Sequence, residues 1–366
     1  MMSPRLHEAH VGPLVVQISV GDPISALVSK ELGGVEVSTA NPAPDLKLAI
    51  LRREEDIPDY TPRVFAAKKL MHFAANAFFF GFNHYFKVLV AGAFDRDRAL
   101  DLYLVPKRPR LPQLPKTTEG LKSVVMTYQI FWAAFQLALL KRDATFLHAG
   151  IYADESGATA LTGTGGSGKT SCIFYLLGAH PTQSYLSEDF GIITAQGQAH
   201  HNPKFVSIYK SDTRQFLLAD FVANRIPWSQ KPYWYAYDVL RGNPRVKAAP
   251  SDVLGPERIC RQAALRRVVF LIRGDFSELE FAPVEVDALA ARCTSVTLRE
   301  MKFVTELLHL MEANRLPGMR FPTPAEWEAS QRDLYRRIFA QVERFVVRVP
   351  AACPPDVLGE FVLELA

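Results

Sequence analysis

The sequence predicts an α/β protein with a P-loop core and a β-rich N-terminal domain. Three observations carry this expectation. Ala158 to Leu161 is a short apolar run, the octet Gly163-Thr164-Gly165-Gly166-Ser167-Gly168-Lys169-Thr170 follows it, and Ser171 to Leu177 continues as an apolar helix ended by Gly178. The octet fits G-x-x-x-x-G-K-[ST], and strand, Gly-rich loop, helix is the setting that this pattern requires. The first third is rich in short apolar runs of strand length, and Arg266 to Arg273 (RRVVFLIR) is a strong strand further on.

Along the chain, Leu14 to Val20, Val35 to Ser38 and Leu46 to Leu51 read as strands. Tyr85 to Ala91 and Ala99 to Val105 flank the polar turn Asp95-Arg96-Asp97-Arg98 and read as a β-hairpin. Arg63 to Ala77, ahead of this hairpin, reads as a helix, followed by the core aromatics Phe78, Phe79, Phe80 and Phe82. Residues 106–116 (PKRPRLPQLPK) form a Pro-rich basic linker, because proline removes backbone donors and favours an extended chain. A long helix runs from about Thr118 to Lys141. Thr145 to Tyr152 and Ala158 to Leu161 are two strands joined by a turn at Asp154 to Gly157. The run Phe190 to Thr194, a turn at Gln196-Gly197-Gln198 and a strand Phe205 to Tyr209 come after the loop helix. Residues 212–256 are irregular and aromatic; Trp228, Tyr233, Trp234, Tyr235 and Tyr237 read as a satellite hydrophobic cluster or as a lid over an acceptor. Glu300 to Asn314 and Pro324 to Gln341 read as amphipathic helices, Phe345 to Val349 as a last strand and Pro355 to Leu365 as a last helix. The expected division is a β-rich domain over 1–105, the linker 106–116, the loop-bearing core over 117–300 and a C-terminal extension over 301–366.

Composition narrows the class. Of 366 residues 48% are hydrophobic and 22% charged, as in globular proteins, and the net charge of +4 gives no ground for a nucleic-acid partner. Cys172, Cys260, Cys293 and Cys353 have no metal-ligand spacing and read as reduced thiols of a cytoplasmic protein. No secretion signal pattern opens the sequence. Val124 to Leu140 is apolar, but carries Gln129 and Gln136 and falls short of the about 20 residues of a membrane span.

The candidate chemistry centres on the octet. Its glycines let backbone N–H groups point at an anion, and a helix starting there adds the positive end of its dipole. Gly163, Thr164, Gly165, Gly166, Ser167, Gly168, Lys169, Thr170 and Ser171 are the expected nucleotide-binding residues. Lys169 would reach the β/γ-phosphates and the Thr170 hydroxyl would hold Mg²⁺. Glu188-Asp189, one helix and one strand downstream, supplies two carboxylates: one to hold the metal, the other to accept a hydroxyl proton. His148 lies in a strand upstream of the loop, where spacing alone makes it a core residue.

The order His148-Ala149-Gly150, strand, phosphate loop, short helix and paired carboxylate resembles the HPr kinase/phosphorylase family and its HPr-kinase-like relatives. That family's fold is similar to phosphoenolpyruvate carboxykinase. The resemblance covers roughly residues 118 to 300. It implies an ATP-dependent kinase acting on a serine hydroxyl of a peptide or protein, with Asp189 as general base, Glu188 assisting Mg²⁺ and His148 orienting the base. The pair is Glu-Asp where the family has Asp-Asp. The family's C-terminal Glu-Arg-Gly has no match, since Arg241-Gly242 and Arg273-Gly274 lack the preceding Glu. Phosphorolysis, HPr as substrate and hexameric assembly are therefore not carried over, and homo-oligomerisation stays open. Arg214, Arg241 and Arg245 are further candidate cations. Two rival readings stand beside the first: a kinase of a small-molecule alcohol, and a nucleotide-binding or sensing protein with little transfer.

Overall fold

The computed structural model describes residues 5–20, 23–38, 43–51, 56, 64–66, 71–74, 77–80, 86–92, 97–106, 118–209, 245–315, 317 and 321–365. The expected linker beyond Pro106, the aromatic segment Trp228 to Tyr237, Arg214 and Arg241-Gly242 lie outside them. The protein is mixed α/β with several sheets. Its described residues fall into two compact units: residues 1–145 with 298–331, and residues 146–297 with 332–366. The expected segments follow the chain continuously, whereas each compact unit draws on two separate stretches.

In the first unit nine strands form one sheet: β1 (Arg5–Val11), β2 (Leu14–Val20), β3 (Val35–Glu36), β4 (Leu46–Ile50), β5 (Val64–Ala66), β6 (Met71–Ala74), β7 (Ala77–Phe80), β8 (Phe86–Ala91) and β9 (Leu100–Pro106), in the order β3-β1-β2-β4-β9-β8-β7-β6-β5. The expected hairpin is β8 with β9, antiparallel from Phe86↔Pro106 to Ala91↔Asp101. The helix expected over Arg63 to Ala77 is corrected: the segment supplies β5, β6 and the first residue of β7. Val64, Phe65 and Phe73 are β-formers, and pairing with neighbouring strands decides their state. Helix α1 (Pro23–Glu31) and the long α2 (Thr118–Lys141) belong to this unit, as does the later stretch 298–331, and the C-terminal end of α2 is tied to the sheet. There Lys141 donates to the carbonyls of Gly92 and Arg98, and Arg142 Nε donates to Asp45 Oδ1 at 2.6 Å.

The second unit carries β10 (Ala144–Asp154, from Phe146 onward), β11 (Gly157–Gly163), α3 (Lys169–Ala179), β12 (Ser184–Ser187), β13 (Phe190–Thr194), β14 (Gln198–His200), β15 (Val206–Tyr209), β16 (Arg245–Ala248) and α4 (Pro250–Leu254). The long β17 (Gln262–Gly274) and β18 (Glu280–Pro283) follow. Helices α5 (Val286–Glu300), α6 (Lys302–Ala313) and α7 (Pro324–Phe339) come next in the chain, then β19 (Glu343–Pro350) and α8 (Pro355–Glu364). Helix α3 starts at Lys169 rather than Ser171 and runs one residue past Gly178.

Strands β11, β17 and β19 lie parallel, with Gly163 opposite Leu271 and Leu271 opposite Val347. Side chains alternate between faces along β17. Val269 and Leu271 join the core that α3 and α8 cover, with Ile173, Phe174, Leu177, Leu358 and Val362 fully buried in it. Phe270, on the other face, lies under the Arg292 guanidinium of α5. A sheet covered on both faces by helices, with parallel strands at its centre, leaves the carboxyl ends of those strands as the place for a site.

Among the described residues no helix is long and apolar enough to cross a membrane.

Candidate active site

The loop 164–168 leaves the carboxyl end of β11 and enters α3 directly. Gly163 has φ 143°, and a Cβ there would sit 2.5 Å from the carbonyl oxygen of Leu271 on the parallel neighbour. Only glycine fits a strand end so close to another backbone. Gly168 caps α3 with φ 97°, and a Cβ there would lie 2.8 Å from Arg273 Nη2. Arg273, at the end of β17, also donates to the carbonyls of Ala351 and Cys353. Arg273 of the Arg273-Gly274 pair therefore borders the loop.

Within the loop, Thr164, Gly165 and Gly166 are exposed while Ser167 and Lys169 are buried. Lys169 Nζ donates to Gly163 O and Thr164 O, both at 2.9 Å, and approaches Ser167 Oγ at 3.4 Å. Ser171 follows in the first turn of α3, half-buried.

Glu188 and Asp189 occupy the two-residue bend between β12 and β13. A bend relaxes strand alternation, and the two side chains reach different partners. Thr170 Oγ1 donates to Glu188 Oε1 at 3.1 Å, which brings the last residue of the octet against the first carboxylate. Asp189 Oδ1 lies 3.2 Å from His148 Nδ1 of β10, and its backbone carbonyl accepts from Ala149 N at 2.8 Å. The His148–Asp189 approach is close but outside hydrogen-bond alignment, and both ring nitrogens of His148 are buried without a hydrogen-bond partner among the described residues. Phe190 meets the His148 ring edge-on at 5.9 Å.

Lys204 is the member that sequence reasoning missed. Its ammonium pairs with Asp189 Oδ2 and lies 4.4 Å over the Phe190 ring. Asn202, 1% exposed, places it: Asn202 Oδ1 accepts from Lys204 N at 3.0 Å, and Asn202 Nδ2 donates to Phe190 O at 2.6 Å. A single Lys after Asn202-Pro203 carries no motif, so no pattern marks it. Arg245 opens β16 in the backbone trace.

The two carboxyls are pushed apart. Burial, helped by the neighbouring Asp189 charge, lifts Glu188 from 4.5 to about 7 against the pull of Lys204 and Thr170. Burial acts upward on Asp189 too, but Lys204 and His148 outweigh it and hold that carboxyl far below its ordinary range. Neighbouring acids with divergent affinities for a proton are a mark of acid–base or metal chemistry.

Among the described residues no group of three or more His, Cys, Asp and Glu side chains could hold a metal ion by itself. The hydroxyl of Thr170 beside the Glu188 carboxylate is a pair of hard oxygen donors, which suits Mg²⁺ supported by substrate phosphates. The described cysteines are free thiols: Cys172, Cys293 and Cys353 are buried, and Cys260 is half-buried.

No protein-family model matches the chain, and no curated protein matches it.

Proposed function

We propose that the protein is an ATP-dependent kinase that transfers the γ-phosphoryl group to a hydroxyl, a serine of a peptide or protein, on a P-loop core of the HPr kinase/phosphoenolpyruvate carboxykinase type. The observation that carries the reading is the 3.1 Å contact between Thr170 of the phosphate loop and Glu188, with Asp189 adjacent in the chain. Thr170 with Glu188 supplies the oxygens for a metal, and Asp189 beside them supplies a proton acceptor that nucleotide binding alone does not call for.

In this reading the loop N–H groups and the α3 N-terminus take the phosphate charge, and Lys169 turns from the loop carbonyls to the β/γ-phosphates. Thr170 and Glu188 would hold Mg²⁺. Bound there, the ion would draw off charge from the β- and γ-oxygens. The Asp189 carboxylate, kept ionised by Lys204 and His148, accepts the acceptor hydroxyl proton. Its weak basicity is tolerable, because phosphoryl transfer through a loose transition state demands positioning more than base strength. An ATP donor also makes the cytoplasm the proposed location.

The test is incubation of the purified protein with Mg²⁺ and γ-labelled ATP against a pool of serine-containing peptides, with mass spectrometry to place the phosphate. Label on a serine hydroxyl supports the reading. Label only on small alcohols moves the acceptor class, and tight ATP binding with no transfer to any acceptor leaves a nucleotide-binding protein.

A further inference from the structure

We infer that Lys204 orients the Asp189 carboxylate toward the acceptor hydroxyl, and that Asn202 holds Lys204 in place for this; the inference rests on the kinase reading above. A carboxylate rotates about its last side-chain bond unless a partner fixes its plane. Two cation-capable groups flank Asp189. His148 Nδ1 comes within 3.2 Å of Oδ1 out of ideal hydrogen-bond alignment, so it steadies that oxygen electrostatically and holds the plane less firmly than an aligned donor. Among the described residues Lys204 makes the aligned side-chain hydrogen bond to this carboxylate, at Oδ2.

Lys204 is itself constrained from three directions. Its backbone N–H is held by Asn202 Oδ1, its ammonium rests on the face of Phe190, and its charge faces Asp189. Asn202 in turn bonds the carbonyl of Phe190 and, through its own N–H, the carbonyl of Leu186 at 2.9 Å. The turn carrying Lys204 is thus stitched to both strands that flank the Glu188-Asp189 bend. A lysine that merely balanced surface charge would lack this frame, since long side chains on a solvated face keep their rotamer freedom.

In the transfer step the acceptor oxygen bonds to the γ-phosphorus, and the bond from that phosphorus to the β,γ-bridging oxygen breaks. The bond's electron pair leaves on ADP, and the hydroxyl proton passes to the Asp189 carboxylate. Lys204 exchanges neither proton nor electrons; it is a positioning residue, and misplacing the base is what its loss would do.

The test uses the full chain with Mg·ATP and two acceptors, water (read as ADP release) and the serine peptide pool. Lys204→Met is expected to lower kcat about tenfold to a hundredfold, the scale of a misplaced reacting group. Binding of Mg·ATP should stay within about twofold, because Lys204 is not a phosphate ligand in this scheme. Lys204→Arg should recover part of the rate, and Lys204→Met should add no further loss to Asp189→Asn. Parent-like turnover by Lys204→Met would overturn the inference, as would a loss of Mg·ATP affinity as large as the loss of rate. If the parent turns over neither acceptor, the kinase reading falls. Crystal structures of the parent and Lys204→Met then decide the orientation claim: a carboxylate at residue 189 that stays unmoved without the lysine refutes it.

Discussion

The hydroxyl of Thr170 donates to Glu188 Oε1 across 3.1 Å, joining the Gly-rich loop to a carboxylate that is its neighbour only in space. The contact makes both residues candidates for one cation. Glu188→Gln and Thr170→Ala are expected to raise the Mg²⁺ concentration needed for half-maximal transfer by about tenfold to a hundredfold. Isothermal titration of Mg²⁺ into the protein with a non-hydrolysable ATP analogue reads this directly. Unchanged Mg²⁺ affinity in both variants would remove Glu188 and Thr170 from the metal site.

Lys169 and Asp189 separate binding from transfer. Lys169→Ala removes a cation that would face the phosphates and is expected to weaken ATP binding by about tenfold or more, the scale of a charge-assisted hydrogen bond. Asp189→Asn should bind ATP like the parent and lose about two to four orders of magnitude in transfer. Equilibrium binding with a fluorescent nucleotide and single-turnover kinetics on the same preparations distinguish the two. Transfer at the parent rate by Asp189→Asn would reject that residue as the base.

The divergent carboxyls give opposite pH signatures. Burial and the Asp189 charge raise Glu188 from 4.5 to about 7. Between those values the folded protein keeps a proton that the unfolded chain has released, so this group's contribution to stability falls as pH rises through that window. For Asp189, depressed far below 3.8, stabilisation is present above the ordinary value and is lost only as pH falls well beneath it. In metal-free buffer the parent should therefore lose more Tm between pH 5 and about pH 8 than Glu188→Gln does. Equal losses would contradict the placement of Glu188. Mg²⁺ requires the ionised carboxylate, so its affinity should rise with pH through the same interval.

Gly163→Ala tests the close approach at the end of β11. The φ of 143° and a Cβ 2.5 Å from Leu271 O together predict destabilisation of about 1–3 kcal/mol. Chemical denaturation should show this loss at unchanged m-value. Parent-like stability would mean that the strand end accommodates a side chain that its neighbour's carbonyl forbids here.

The loop and its flanking strand and helix were legible because their chemistry dictates residue types at fixed spacing. Glu188 and Asp189 were legible as a pair from their position, and the family resemblance, not the spacing, implied which acid serves the metal with Thr170 and which meets His148. Which acid meets Thr170 and which meets His148 depends on a bend between two short strands. Lys204 was illegible for a different reason. Its role depends on β14 returning the chain beside β13, with Ile192 opposite His200, and on the Asn202 bonds that follow. Residues 63–77 misled because apolar and aromatic residues in a short segment fit a helix or strands equally well until neighbours supply hydrogen bonds. Helix α5 was overlooked since Thr294, Val296 and Thr297 are poor helix formers, and burial against the unit's interior sustains them.

Lys169 is already occupied by its own loop, with Gly163 O and Thr164 O each 2.9 Å from its ammonium. If the proposed kinase binds ATP here, the nucleotide would not meet a waiting cation; it would have to outcompete two neutral carbonyls for it. A polyphosphate tail carries enough charge to win that exchange, whereas AMP or inorganic phosphate offers far less and should compete feebly. Under the proposed function the carbonyls would reclaim the lysine as ADP departs, so the loop that captured the donor would also help to expel the spent one.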